Sequence, residues 1–235
     1  MALFGNTGTQ EKLEPATPGE EREIPLEREE LVVARDPHSQ AAEQFRRLRN
    51  SLQALNPDGA SRSIMLTSAV AGEGKTVAAL NLALALVELP SLRVVVVDAD
   101  RLKPSVEGYL GFPRRAGVSE LLEGELTVDQ AIRETAVERL DFIGAGATSR
   151  STVVQLERLQ ALLNALKRRY DYVLIDGPAV LTANHPSLLG SIADGILLVV
   201  RLGSTPKFLV EEAYQMLENL GGNVLGTCAT NVEGG

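Results

Sequence analysis

The 235-residue sequence predicts an α/β fold with a doubly wound, mostly parallel sheet and helices on both of its faces. One observation is that short runs that are apolar on both faces recur along the chain, as at residues 93–98. Such runs form central parallel strands. The other observation is that longer helical segments separate these runs, as in successive βαβ units. Further strands are predicted at residues 63–67, 140–143, 172–176, 195–201 and 223–229.

A glycine-rich segment, SAVAGEGKT at residues 68–76, lies between the first predicted strand and a long apolar segment at residues 77–89. Glycines let successive backbone N–H groups turn toward phosphate oxygens, and the following helix adds the positive end of its dipole. The pattern predicts a P-loop in which Lys75 reaches the β- and γ-phosphates and Thr76 binds Mg²⁺. A purely structural glycine turn is the alternative. The predicted nucleotide-binding residues are Ala69, Val70, Ala71, Gly72, Glu73, Gly74, Lys75, Thr76 and Val77.

Two predicted strands end in aspartates, Asp98 with Asp100 after the first and Asp176 after the second. Mg²⁺ prefers oxygen ligands, and one or two carboxylates suffice when a hydroxyl and phosphate oxygens complete its shell. We therefore expect Thr76, Asp98 and Asp176 to be metal ligands. Lys75, Asp98 and Asp100 are the expected catalytic residues, because a carboxylate can orient or deprotonate an acceptor hydroxyl. The alternative is that these aspartates only end strands as turn formers.

The regions outside the predicted site divide the chain into an arm and one domain. Residues 1–38 combine four prolines with many glutamates and show no sustained periodicity, so we expect a flexible acidic arm there. Residues 39–235 are expected to form the domain. Its first helix is predicted at residues 40–55 behind a Ser39 cap, and its last has Thr205 as cap and Pro206 in the first turn. Gly221 and Gly222 end that last helix.

Composition limits the partners. The net charge of −8 gives no overall support for nucleic-acid binding. The single cysteine, Cys228, excludes an internal disulfide and suits a reducing cytoplasm, where we expect it to be a buried thiol in a strand. The apolar runs are far shorter than a membrane span, and the N-terminus lacks a signal pattern. We therefore expect a soluble cytoplasmic protein that reaches the membrane only through a partner.

Four segments together carry a resemblance to a family: EQFRRLR at 43–49, TSAVAGEGKT at 67–76, VVVVDAD at 94–100 with Lys103 and Pro104, and YVLIDGP at 172–178. The set resembles the bacterial tyrosine kinases of capsule and exopolysaccharide systems, within the MinD/ParA-like P-loop superfamily. The resemblance covers about residues 40–231. It implies an ATP- and Mg²⁺-dependent kinase at the inner face of the plasma membrane. It also implies pairing with a membrane adaptor, a polysaccharide co-polymerase.

The same resemblance implies a homo-oligomer. In this family an E-x-x-R-x-x-R helix contributes to ring assembly between subunits, and Glu43, Arg46 and Arg49 match it. The alternative is a solvated helix face with i,i+3 ion pairs, each worth only a few tenths of a kcal/mol.

The sequence also departs from the family pattern. The second acidic motif of the family usually runs D-x-D-x-R, whereas here Arg101 directly follows Asp100 and Leu102 occupies the arginine position. In the third motif, Gly177 replaces a hydroxyl residue. His185 stands where aspartate is common, and the tyrosine cluster usual at the end of these kinases is missing after Tyr214. We therefore expect no tail autophosphorylation. The chain would either phosphorylate another protein or use nucleotide binding as an assembly switch without phosphotransfer.

Two other classes of protein stay open. Partition and division-site ATPases of the MinD and ParA kind share the predicted fold, but they carry a signature lysine five residues before the P-loop lysine, where this chain has Val70. The second class is a noncatalytic, nucleotide-dependent regulator of polysaccharide export. Phosphotyrosine formation separates the kinase from the regulator, and localisation at a surface or nucleoid identifies the ATPase.

Overall fold

The computed structural model describes residues 13–15, 28–147, 156–182 and 186–231. The helices are α1 Val32–Arg35, α2 Gln40–Ala54, α3 Lys75–Val87, α4 Val106–Leu110, α5 Val118–Glu123, α6 Val128–Ala131, α7 Leu156–Lys167, α8 Pro186–Ile192 and α9 Lys207–Asn219. The strands are β1 Arg62–Ser68, β2 Val94–Asp98, β3 Arg133–Glu134, β4 Leu140–Ile143, β5 Tyr172–Asp176, β6 Gly195–Arg201 and β7 Val224–Thr230.

The seven strands form one sheet in the order β3-β4-β2-β5-β1-β6-β7. Neighbouring strands are parallel except for β3, which pairs antiparallel with β4 at one edge. The predicted doubly wound, mostly parallel sheet is confirmed. The sequence did not predict β3, because a two-residue strand is too short to show any periodicity.

Helices cover both faces of the sheet, and this explains the uninterrupted apolar strands. In β2, Val94 and Val96 pack in one core with α1 to α4, whereas Val95 and Val97 pack in a second core with α5, α7, α8 and α9. Successive strand residues point to opposite faces, so a strand covered on both sides needs apolar residues at every position. Helix α3 is itself buried along residues 78–87, which agrees with its lack of a polar face.

The segment just before α2 belongs to the folded domain. Leu31 is fully buried and Val33 nearly so, and both lie in the core beside α3. Asn81 of α3 accepts a hydrogen bond from the Val33 N–H at 3.0 Å and donates one to the Glu30 carbonyl at 2.7 Å. This part of the expected flexible arm is therefore ordered against the domain. Apart from residues 13–15, the preceding part of the arm lies outside the described residues.

Helix boundaries follow the capping signals at the start of α2 and the end of α9, but not at the start of α9. Ser39 accepts a hydrogen bond from the Ala42 N–H at 3.1 Å, as predicted for the start of α2. Gly221, with φ of +78°, ends α9 as predicted. The prediction that Thr205 caps α9 is wrong. Pro206 is the N-cap residue, and the Thr205 hydroxyl instead donates to Glu73 in the P-loop.

Candidate nucleotide and magnesium site

The predicted P-loop connects β1 to α3. Gly72 and Gly74 have φ of +88° and +89°, a left-handed conformation that only glycine adopts without strain. Gly74 directly precedes α3, so the free N–H groups of the first helical turn lie next to the loop. The structure therefore places all nine predicted nucleotide-binding residues, 69–77, in this loop and the first turn of α3.

Glu73 connects the P-loop to two distant segments of the chain by hydrogen bonds. Its buried carboxylate accepts hydrogen bonds from the Val70 N–H and from the Thr205 hydroxyl, and its carbonyl accepts one from the Thr230 hydroxyl at 2.8 Å. These contacts tie the loop to the start of α9 and the end of β7. Sequence reasoning missed Thr205 and Thr230 as site residues, since their partner is more than 130 positions away. No local pattern carries such a signal.

The order of the central strands brings the two predicted carboxylates together. Strand β5 lies between β2 and β1, and Asp98 is paired in register with Asp176. Both aspartates are fully buried. The Thr76 hydroxyl donates to Asp176 Oδ2 at 2.5 Å. The three residues predicted to bind magnesium, Thr76, Asp98 and Asp176, thus meet where β2 and β5 end beside the P-loop.

The two carboxylates differ in how they are satisfied. Asp98 accepts hydrogen bonds from the backbone N–H groups of Ser105 at 2.9 Å, Val106 at 3.0 Å and Asp100 at 3.1 Å. Asp176 Oδ1 is buried without any hydrogen-bond partner. Burial raises the pKa of both groups. The Asp98 charge raises the pKa of Asp176 further, whereas the three N–H donors counteract the rise at Asp98.

This donor set fits a magnesium ion held together with a nucleotide. A hydroxyl and carboxylate oxygens are ligands that Mg²⁺ prefers, and a cation beside the unpartnered Asp176 oxygen would compensate the charge of an ionised carboxylate there. The positive charge of Lys75 also acts on Asp176, lowering its pKa. Within the described ranges, no three His, Cys, Asp or Glu side chains form a group that could hold a metal. Phosphate oxygens and water would complete the shell.

The loop after β2 places Asp100 and Arg101 differently from the two buried aspartates. The Asp100 carboxylate accepts a hydrogen bond from the Lys103 N–H at 3.0 Å, within its own loop. The Arg101 guanidinium donates to the Ser119 hydroxyl of α5 at 3.0 Å, and burial lowers its pKa. Leu102, at the position where the family has arginine, is 59% exposed. Arg101 is therefore hydrogen-bonded to α5, and no arginine occupies the family position at residue 102.

The structure also explains the glycine after Asp176. A Cβ at Gly177 would lie 2.5 Å from Met65 Cε and 3.3 Å from the Leu66 carbonyl oxygen. Met65 thus fills the space that a hydroxyl residue would take at this position. His185 lies outside the described residues.

The predicted interface residues lie on α2 against the end of α3. Arg46 donates to both carboxylate oxygens of Glu88, at 2.9 Å and 2.7 Å for the shortest contacts. Arg49 donates to Glu88 at 2.9 Å and to the Ala85 carbonyl at 2.8 Å. Glu43 is half exposed and lies 3.8 Å from Arg46, an i,i+3 ion pair. Both arginines are therefore engaged within the chain, through a glutamate that the sequence reasoning did not single out.

Together, the fold and the site define a P-loop nucleotide-binding protein. The family model described as "AAA domain" matches residues 61–220, so the chain belongs to that family. It is 28% identical over 198 residues to the tyrosine-protein kinase YwqD of Bacillus subtilis, covering 83% of each chain. It is 30% identical over 208 residues to the succinoglycan biosynthesis transport protein ExoP of Rhizobium meliloti. That match covers 86% of this chain but only 26% of ExoP.

Solved structures agree with these relatives. The kinase domain of the Escherichia coli tyrosine kinase ETK matches with a TM-score of 0.81 and 26% identity, covering 87% of this chain and 81% of that one. The septum site-determining protein MinD of Pyrococcus horikoshii, complexed with Mg-ADP, matches with a TM-score of 0.61 and 26% identity. That match covers 71% of this chain and 69% of MinD. The predicted resemblance to bacterial tyrosine kinases within a MinD-like superfamily is confirmed.

No helix in the described ranges combines the length and the apolar character that crossing a membrane requires.

Proposed function

We propose that this protein is a Mg-ATP-dependent protein-tyrosine kinase of a polysaccharide export system. The observation that carries the nucleotide and metal part is the buried, unpartnered Asp176 oxygen beside the Thr76 hydroxyl at the start of the P-loop helix. The kinase part is supported by the similarity to YwqD and to the ETK kinase domain.

Each site residue has a role in this proposal. The loop N–H groups and Lys75 bind the phosphates, while Thr76, Asp98 and Asp176 hold the magnesium ion. When bound, magnesium neutralises phosphate charge during transfer. Asp98, fixed by its backbone donors, and Asp100 orient the acceptor hydroxyl. Charge neutralisation and positioning are the main requirements of phosphoryl transfer.

We further propose a homo-oligomer that acts at the inner face of the plasma membrane through a membrane adaptor. ExoP, a transport protein of succinoglycan biosynthesis, supports the link to polysaccharide export. The Glu43, Arg46 and Arg49 helix face is the proposed contact between subunits. Glu43 is the most exposed of the three, with 52% of its side chain accessible.

The decisive experiment is to incubate the purified protein with Mg-ATP, with and without the cytoplasmic segment of an export adaptor, and to search every chain for phosphotyrosine by mass spectrometry. The Lys75→Met variant is the control, and ATP binding is measured in the same samples. Phosphotyrosine that depends on Lys75 supports the kinase. ATP binding without any phosphotyrosine supports the alternative, a noncatalytic nucleotide-dependent regulator. Unchanged ATP affinity in Lys75→Met would contradict the assigned site.

A further inference from the structure

Ser105 contacts the proposed magnesium site at two points, although no sequence motif singled it out. It lies at the start of α4 and is partly buried. Its Oγ lies 2.7 Å from Thr76 Oγ1, and its backbone N–H donates to Asp98 Oδ2 at 2.9 Å. One residue therefore touches two of the three predicted metal ligands.

The Ser105 side chain is not used as a helix cap. Serine at an N-cap position ordinarily accepts a hydrogen bond from a backbone N–H of the first turn. Ser105 occupies the N-cap position of α4 but makes no such side-chain bond. Its hydroxyl is turned to Thr76 instead. The contact with Thr76 thus takes the place of a local stabilising interaction.

The hydrogen-bond inventory fixes the direction of this contact. Thr76 has one hydroxyl hydrogen, and in the cation-binding state, where Asp176 is ionised, its carboxylate can only accept that hydrogen. Ser105 must therefore be the donor to Thr76 Oγ1, which accepts through one of its two lone pairs. The second lone pair stays available for a cation. The Thr76 hydroxyl is in this way held from two sides.

We propose that Ser105 is a positioning residue of the magnesium site, with its hydroxyl orienting Thr76 and its backbone N–H orienting Asp98. The inference rests on the proposed function, because it names a further residue of the same site. Ser105→Ala removes the hydroxyl contact but keeps the backbone N–H bond of residue 105 to Asp98. Ser105→Thr keeps a hydroxyl. The Ser105 side chain therefore acts on magnesium binding through Thr76, separately from the fold of α4.

The test is a titration of ADP affinity against magnesium concentration, with a second ADP titration in excess EDTA. Because one hydrogen bond is lost, we expect Ser105→Ala to raise the half-saturating magnesium concentration about fivefold. ADP affinity in EDTA and the melting temperature of the nucleotide-free protein should stay unchanged. Ser105→Thr should restore most of the magnesium affinity. Ser51→Ala, an exposed serine on α2, is the matched control and should behave as wild type.

Two results would overturn the inference. In one, the magnesium dependence of Ser105→Ala equals that of wild type. In the other, ADP affinity falls equally with magnesium and in EDTA, which means a general disturbance of the loop. Failure of the proposed function would give other results. Wild-type protein itself would bind ADP without any magnesium dependence, or Lys75→Met would bind ADP with wild-type affinity. Either of these would remove the inference together with the site.

Discussion

Two charged regions at opposite ends of α3 are built in opposite ways. At its start, the carboxylates of Asp98 and Asp176 are buried side by side, and one Asp176 oxygen has no partner. At its end, Glu88 accepts hydrogen bonds from Arg46 and Arg49, and Arg46 foremost lowers the pKa of Glu88. The first region leaves one buried carboxylate oxygen without a partner, which fits a cation site, whereas the charges of the second region are compensated within the chain.

The helix dipole sharpens this contrast. Glu88 is the C-cap residue of α3, where a carboxylate is unfavourable because the helix end already carries partial negative charge. Arg49 offsets this by donating to Ala85, a carbonyl of the last turn, as well as to Glu88. The start of α3, with its free N–H groups, instead attracts phosphate. Helix α3 therefore has the predicted phosphate site at its start and the hydrogen-bonded cluster of Arg46, Arg49 and Glu88 at its end.

The largest effect is expected from Asp176→Asn. The neutral amide can still accept the Thr76 hydrogen bond, but it removes a buried carboxyl group whose ionisation burial disfavours. We expect the free energy of unfolding of the nucleotide-free protein to rise by on the order of 2 kcal/mol at neutral pH. Magnesium-dependent ADP affinity should fall by at least about tenfold. Chemical denaturation and ADP titration measure the two effects. A variant that is destabilised, with ADP affinity intact, would contradict the contrast.

The pH dependence of the same group gives a second effect. The folded pKa of Asp176 is raised by burial and by Asp98, so the folded protein binds more protons than the unfolded chain above about pH 4. Its stabilising contribution is complete below the unfolded pKa and is lost as the pH rises through the raised folded pKa. Relative to Asp176→Asn, wild type should therefore lose stability between about pH 4 and about pH 8. Parallel stability curves for the two proteins would contradict this expectation.

The arginine cluster is tested by Arg46→Ala combined with Arg49→Ala. Removing both guanidinium groups leaves Glu88 without cations at the end of α3, so we expect a loss of about 1–2 kcal/mol in unfolding free energy. The proposed subunit contact should be lost as well, with a shift toward monomer by light scattering. An unchanged mass would remove the interface proposal, even if stability falls.

Glu88→Ala separates these two roles. It removes the carboxylate to which Arg46 and Arg49 donate within the chain, so we expect about 1 kcal/mol of destabilisation. Because both arginines remain, we expect the oligomer mass to stay unchanged. Arg47→Ala is the matched control, because Arg47 lies on the same helix and its side chain is 68% exposed. That variant should change stability by less than about 0.5 kcal/mol. If Glu88→Ala behaves like the control, the cluster contributes nothing to stability.

Much of the fold and the core of the site could be predicted because their signals are local. Runs of valine and isoleucine marked β2 and the other central strands, and the glycines of residues 68–76 marked the P-loop between a strand and a helix. The parallel arrangement then brought the strand ends that carry Asp98 and Asp176 to one edge of the sheet. Each step needed only a periodicity, a turn residue or a topological rule.

The residues that sequence reasoning missed depend on distant pairing. Ser105 meets Thr76 across 29 positions, Glu88 meets Arg46 across 42, and Thr205 meets Glu73 across 132. Thr205 also satisfied the local pattern of a helix cap, so the pattern predicted the wrong partner for its hydroxyl. A hydroxyl bonds to whichever group the packed fold brings within reach, and its local sequence does not specify that group.

The amino-acid pattern alone was sufficient for the class of fold, the phosphate-binding loop and the acidic strand ends, because apolar periodicity and glycine geometry act within a few residues. The compensation of charge was set by tertiary packing. It left an Asp176 oxygen without a partner, turned Ser105 toward Thr76, and satisfied Arg46 and Arg49 with Glu88. Burial and hydrogen-bond partners depend on which elements pack together. They therefore decide which polar groups lack a partner within the chain and which are compensated by neighbouring side chains.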